Sequence, residues 1–241
     1  MDTVEKRLGL ALRAPVDSLV TDDRVRMPDS VSMWDLPQSD RAALRGWGMP
    51  SDMAMAPDPQ LGVEPELTPT ITSRYERRLL SADRRLYRLG RWGRHRLAPA
   101  IGALAGDGMV FGLSDAPLTT ADLPQVMQAE YPDLDNPAVT YLNSSVARFL
   151  EVAWRWRAAS RIMCELVEAE PPFPGTRTAL AERGEDADAI HSAYLEQCEQ
   201  VWERTEVDIA AVLAAMADID SMTGPDGRES CWVELINNFP G

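Results

Sequence analysis

The chain has 241 residues, 45% hydrophobic and 26% charged, with three cysteines and a net charge of −14. That composition excludes a disordered chain and a disulfide scaffold, and it supplies enough apolar material for a substantial core. Charge-free stretches such as Leu97–Gly106 fall far short of the ~18–20 apolar residues that span a bilayer, so no membrane segment is expected.

Residues 1–13 read as a short helix with Val4, Leu8 and Leu12 on one side. Acidic residues come early and Arg13 interrupts the apolar run, so this start does not read as a secretory signal. Residues 14–73 are dense in Pro, Asp, Ser and Met and predict an extended segment lying over a core. Within it, Ser39-Asp40 is placed to cap a short helix over Arg41–Trp47, with Gly48 ending it.

The stretch SRYERRLLSADRRLYRLGRWGRHR holds nine arginines in residues 74–96. Tyr75, Tyr87 and Trp92 are interleaved, a pattern that invites a nucleic-acid reading. The pI near 4.6 opposes it, and these arginines are expected to pair with the acidic C-terminal third. Leu86–Leu89 followed by Gly90 predicts a strand and a turn. Asp107-Gly108 between two apolar runs is a hairpin signal. Asp133-Leu134-Asp135-Asn136 reads as a turn, since it lacks the glycine and closing glutamate of a calcium loop. Val139–Leu142 predicts a further strand.

Asn143-Ser144-Ser145 follows at once. Its plain reading is a hinge whose side-chain oxygen caps the next helix. From Ser144 the apolar period changes from two to about 3.6, and Val146, Phe149, Leu150, Ala153 and Trp154 mark one face of a helix reaching about Ala169. Pro171, Pro172 and Pro174 break it. A second long helix is expected from about Glu185 to Ile219, with Ile190, Tyr194, Val201, Ile209, Val212, Met216 and Ile219 inward. Glu196, Glu199, Glu203 and Glu206, spaced three and four apart, line up on another face. Trp232, Leu235 and Ile236 predict a last short helix packed on the body. Trp92, Trp154, Trp156, Trp202 and Trp232 read either as core residues or as hot-spot anchors, and the core is the default expected for each.

Residues 165–241 hold 17 acidic and 4 basic side chains, so most of the excess charge sits there. Residues 74–164 are mildly basic, with 13 basic and 9 acidic. The glutamate row therefore reads either as a solvated face or as a docking surface for a basic protein. His95 and His191 are the only histidines, and no zinc spacing, nucleophile elbow, Walker motif or dinucleotide loop occurs. No catalytic residue, cofactor or metal is assigned. Cys164, Cys198 and Cys231 lack a CxxC spacing and fit a reducing cytoplasm.

The order of segments resembles the SUKH superfamily of bacterial immunity proteins, in particular its fourth immunity subfamily, common in actinobacteria. Leu44-Arg45-Gly46-Trp47-Gly48-Met49-Pro50 is similar to its early helix and Gly-hydrophobic-Pro entry. Leu86–Gly90 resembles its strand ending in glycine, and Gly108–Leu113 its Gly-x-Val-aromatic strand. Tyr141–Leu150, with Asn143-Ser144-Ser145 and Phe149, resembles its most recognisable run. Ser230–Leu235 resembles its Trp-bearing last helix. The likeness covers roughly residues 40–160 and the C-terminal end, while residues 170–222 read as an acidic insertion.

The resemblance implies an α+β fold over residues 1–241: a curved antiparallel sheet flanked by helices, here with an extended acidic C-terminal helical region. It also implies a non-enzymatic cytoplasmic protein that binds a cognate toxin of nuclease or nucleic-acid deaminase type. A regulatory adaptor with a housekeeping partner is the alternative. On either reading the partner is a protein rather than nucleic acid, and Glu196, Glu199, Glu203 and Glu206 are the candidate contacts.

Overall fold

The computed structural model describes residues 3–51, 66–93, 98–167, 173–184 and 186–239. The expected α+β class holds: an antiparallel sheet flanked by helices and not closed into a barrel. The strands are β1 (Glu66–Leu67), β2 (Leu86–Arg91), β3 (Ala100–Leu104), β4 (Val110–Leu113), β5 (Leu118–Thr119), β6 (Asp135–Asn136) and β7 (Val139–Asn143). The main sheet runs β1-β2-β3-β4-β7, every neighbour antiparallel. An excursion between β4 and β7 carries the small β5–β6 pair, so Asp135-Asn136 is a strand where sequence predicts only a turn.

The hairpin at Asp107-Gly108 forms as expected, joining β3 to β4. Gly90 does not turn the chain. It stays inside β2 at a register shift between Arg88 and Gly90, an extra residue that bends the strand. A second shift, opposite Val110 and Phe111, leaves Leu142 as the extra residue and bends β7.

The helices are α1 (Val4–Arg13), α2 (Val16–Leu19), α3 (Gln38–Gly46), α4 (Glu76–Leu79), α5 (Gln125–Gln128), α6 (Val146–Val167), α7 (Arg177–Glu182), α8 (Ala187–Ile219) and α9 (Cys231–Asn237). One sheet face, with Tyr87, Leu89, Ile101, Ala103, Val110 and Leu142, packs with Leu44, Phe149, Ala153, Trp156 and Trp232 into the main core. Helices α1, α2, α3 and α8 surround α6. Residues 152–157 of α6 are therefore buried on every side, not on one face. This is how the alternating Trp-Arg run is accommodated. Trp154 is enclosed, the Arg157 guanidinium lies 5.3 Å from its ring and meets Asp23 at 3.1 Å, and Arg155 donates to carbonyls at the end of α1. A cation at a helix C-terminus also favours the peptide dipoles there. The opposite sheet face carries a smaller cluster of Leu79, Leu80, Leu86, Leu104, Phe111, Leu113, Val139 and Tyr141.

Asn143-Ser144-Ser145 is a hinge and also a crossing point. Ser145 Oγ accepts from Arg148 N at 3.2 Å, the expected N-cap. Asn143 does something else. It is fully buried, donating through Nδ2 to Asp220 Oδ2 at 3.0 Å and accepting from Trp232 Nε1 at 2.8 Å. Asp220, just past α8, also accepts from Ser144 N at 2.7 Å, Ser221 N at 2.9 Å and Arg148 at 3.2 Å. Beside them Ser230 Oγ donates to Leu142 O at 2.9 Å. One buried node thus joins β7, the start of α6, the end of α8 and the start of α9.

Asp40 corrects an expectation. It does not cap its own helix, which starts at Gln38 after Pro37. It is fully buried and accepts from Ala147 N at 3.0 Å, serving the first turn of α6 from 107 residues away. Burial pushes its carboxyl above the usual range, with the α6 amides opposing. Gly108, at φ +78°, makes room: a Cβ there would stand 2.0 Å from Asp40 Oδ2. Gly48, at φ +63°, ends the short helix as expected.

Candidate functional site

The glutamate row lies on α8, a helix of 33 residues and so about 50 Å long. Asp186 starts it by accepting from Ala189 N at 3.1 Å. The Asp220 node clamps its other end. Between these points the helix changes character. Asp208, Val212 and Met216 are buried against the body, whereas no residue from 187 to 207 is. In that N-terminal half α7 is a neighbour, capped by Thr176 and anchored by Leu180.

Glu196, Glu199, Glu203 and Glu206 are all exposed, and among the described residues no cation pairs with any of them. The apolar side chains beside them are the less expected feature. Leu195 is 55% exposed, Trp202 67% and Val207 68%. At 3.6 residues per turn, Leu195, Glu199, Trp202 and Glu206 fall within roughly 60° of one another, flanked by Glu196, Glu203 and Val207. Trp202 is therefore not core, unlike Trp154, Trp156 and Trp232, which are buried as expected, while Trp92 is half-buried with its ring edge-on to Trp232. The signal for Trp202 was available. It sits three residues after Glu199 and four before Glu206, on their side of the helix.

Carboxylates with no counter-ion among the described residues, beside an exposed indole, form a surface suited to a basic partner. The carboxylates give long-range attraction and orientation, and the Trp gives a desolvatable anchor.

Other candidate groups are held in structural roles. The Cys231 thiol is pushed up to about 11 by burial, so it is not a thiolate near neutral pH. Burial and the nearby Asp220 push the Tyr141 phenol up to about 12. His191 packs between Phe173 and Tyr194 at 6.1 and 6.2 Å, and His95 lies outside the described residues. Among the described residues no group of three or more His, Cys, Asp or Glu side chains is placed to hold a metal. None of their helices is long and apolar enough to cross a membrane.

Of the Arg-rich stretch expected to pair with the acidic C-terminal third, Arg84 meets Asp107 at 2.8 Å and Arg85 meets Glu66 at 3.5 Å, both outside that third, Arg88 and Arg91 are engaged as well, and Arg94 and Arg96 lie outside the described residues. Links to the C-terminal third come from elsewhere, through Arg7–Glu165, Arg148–Asp220 and Arg204–Glu5.

The chain matches no protein-family model, no curated protein and no solved structure.

Proposed function

We propose that this chain is a non-enzymatic immunity protein of the SUKH type, which binds a basic toxin acting on nucleic acid and blocks it. The observation that carries this reading is the face of α8 where Glu196, Glu199, Glu203 and Glu206, paired with no cation among the described residues, lie beside exposed Trp202 and Leu195. A toxin that acts on nucleic acid needs a basic groove, and a carboxylate-rich helix with an aromatic anchor is complementary to one. The antiparallel sheet with Asn143-Ser144-Ser145 at its edge agrees with the resemblance in sequence. The free thiols of Cys164, Cys198 and Cys231 fit action inside the producing cell, in the cytoplasm.

The test is a tagged pull-down from the native host, washed at low and high salt, beside a variant carrying Glu196→Lys, Glu199→Lys, Glu203→Lys and Glu206→Lys. The expected result is one nuclease or deaminase domain, retained at low salt, weakened at high salt and lost to the variant. Housekeeping proteins retained equally by both would overturn the reading and favour a regulatory adaptor.

A further inference from the structure

A second charged surface lies on another element and carries the opposite sign. It is built on α4 and the turn before it, residues 72–79. Glu76 is 1% exposed in the middle of an arginine run. Its Oε2 accepts from Thr72 N at 2.6 Å, Ser73 N at 2.6 Å and Thr72 Oγ1 at 2.9 Å. Its Oε1 accepts from Ala138 N at 2.7 Å. Burial alone would raise its pKa, but these donors outweigh burial and lower it to about 2. One carboxylate thus ties the turn to itself and to the start of β7. With Leu79 and Leu80 also buried, Arg74, Tyr75, Arg77 and Arg78 are left facing out.

These outward side chains are ordered around one ring. The Arg74 and Arg78 guanidinium groups each lie 5.8 Å from the Tyr75 centroid, and Arg228 reaches the same ring at 5.4 Å. Arg228 is already neutralised by Asp135 at 3.1 Å. For Arg74, Arg77 and Arg78 no carboxylate among the described residues is within ion-pair distance. Three guanidinium groups that no described carboxylate compensates, on a turn pinned by Glu76, are an incomplete arrangement in a protein of charge −14.

We infer that Arg74, Tyr75, Arg77 and Arg78 form a docking patch for a carboxylate-rich segment of a partner protein. Guanidinium forks match carboxylates two bonds at a time, and stacking on Tyr75 limits the rotamer entropy lost on binding. The patch spans about one helical turn, enough for two or three acidic side chains. A nucleic acid is the poorer occupant. It needs a long basic track to offset its own charge density, and here it would run past a strongly acidic body with one exposed ring to stack on. This surface is separate from the α8 face and does not depend on the function proposed above.

The test is fluorescence anisotropy with two labelled probes, a peptide of alternating Glu and Ser and a single-stranded DNA, at low and physiological salt. The wild-type protein is expected to bind the peptide more tightly than the DNA, and to bind it less tightly as salt rises. Replacing Arg74, Arg77 and Arg78 together by Ala is expected to weaken peptide binding by about tenfold or more. Replacing them by Lys keeps the charge but removes the forks, and is expected to weaken it about threefold. No peptide binding to the wild type, tighter binding of DNA than of peptide, or unchanged peptide binding by both variants would overturn the proposal.

Discussion

The two halves of α8 carry carboxylates in opposite circumstances. Beyond Val207 the helix buries Asp208 and ends on buried Asp220, each committed to the interior. Before Asp208 it exposes Glu196, Glu199, Glu203 and Glu206, with no cation paired to them among the described residues. One continuous helix therefore serves as a structural strut at one end and as a free surface at the other. The difference shows that acidic composition says little until burial is known. A carboxylate buried among donors, as Asp220 is, is fixed by them, whereas an exposed one contributes mainly through its field.

The contrast sharpens first with tryptophan. Trp232→Ala removes a fully buried ring and the donor to Asn143, and is expected to cost about 4 kcal/mol in urea unfolding. Trp202→Ala is expected to change stability by less than about 0.5 kcal/mol while weakening partner binding by about tenfold or more. Equal stability losses in the two variants would erase the distinction between the buried and the exposed tryptophan.

Next comes Asp220→Ala, which strands the donors of Asn143, Ser144 and Ser221. A loss of about 3 kcal/mol in the same assay is expected. Removing any one of the four glutamates is expected to stay within about 0.5 kcal/mol.

Acid titration separates Glu76 from the exposed row. Its carboxyl titrates at about 2 in the folded protein against an ordinary 4.5. Its contribution is present above pH 4.5 and is lost as pH falls toward 2. The wild type should lose about 3 kcal/mol over that window through this group. A Glu76→Gln variant, less stable at pH 7, should show a flatter pH profile, read from unfolding midpoints at each pH.

A smaller effect than that of Glu76, and of opposite sign, belongs to Asp208. Burial raises its carboxyl, with Arg204 opposing and Glu5 adding to the shift. An acid with a raised folded pKa destabilises the fold when ionised, and that cost disappears as pH falls below the folded pKa. Asp208→Asn is therefore expected to stabilise by about 1 kcal/mol at pH 7 and by less in mild acid. A destabilising result at pH 7 would show that the carboxylate is needed as an ion.

Sequence legibility followed the same division between local and distant causes. Helices α6, α8 and α9, the hairpin at Asp107-Gly108 and the strand before Asn143 were readable because periodicity and turn chemistry act over a few residues. The roles of Asp40, Asn143 and Asp220 were not. Each depends on a partner more than 70 residues away, and a local window reads all three only as polar residues near a helix end. Trp202 was placed in the core because large aromatics usually are, although its spacing from Glu199 and Glu206 pointed outward. Gly90 was read as a turn where a strand needed a bulge. In the candidate site the four glutamates were legible as a row, but the exposure of Leu195 and Val207 at its two ends was not. That exposure depends on where the body ends beneath α8, which no local pattern encodes.

The node around Asp220 also has a consequence for folding kinetics. Its bonds close separations of 72 to 89 residues, so chain entropy must be lost before they form. Such contacts are expected to assemble after the main barrier, when the meander β2-β3-β4 and helix α6 are already in place. Weakening them should then speed unfolding and leave the folding rate nearly unchanged, giving Asp220→Asn a chevron displaced only on its unfolding arm. The residues that fix the free surface of α8 would act as a late-closing latch, setting how long the folded state lasts rather than how quickly it is reached.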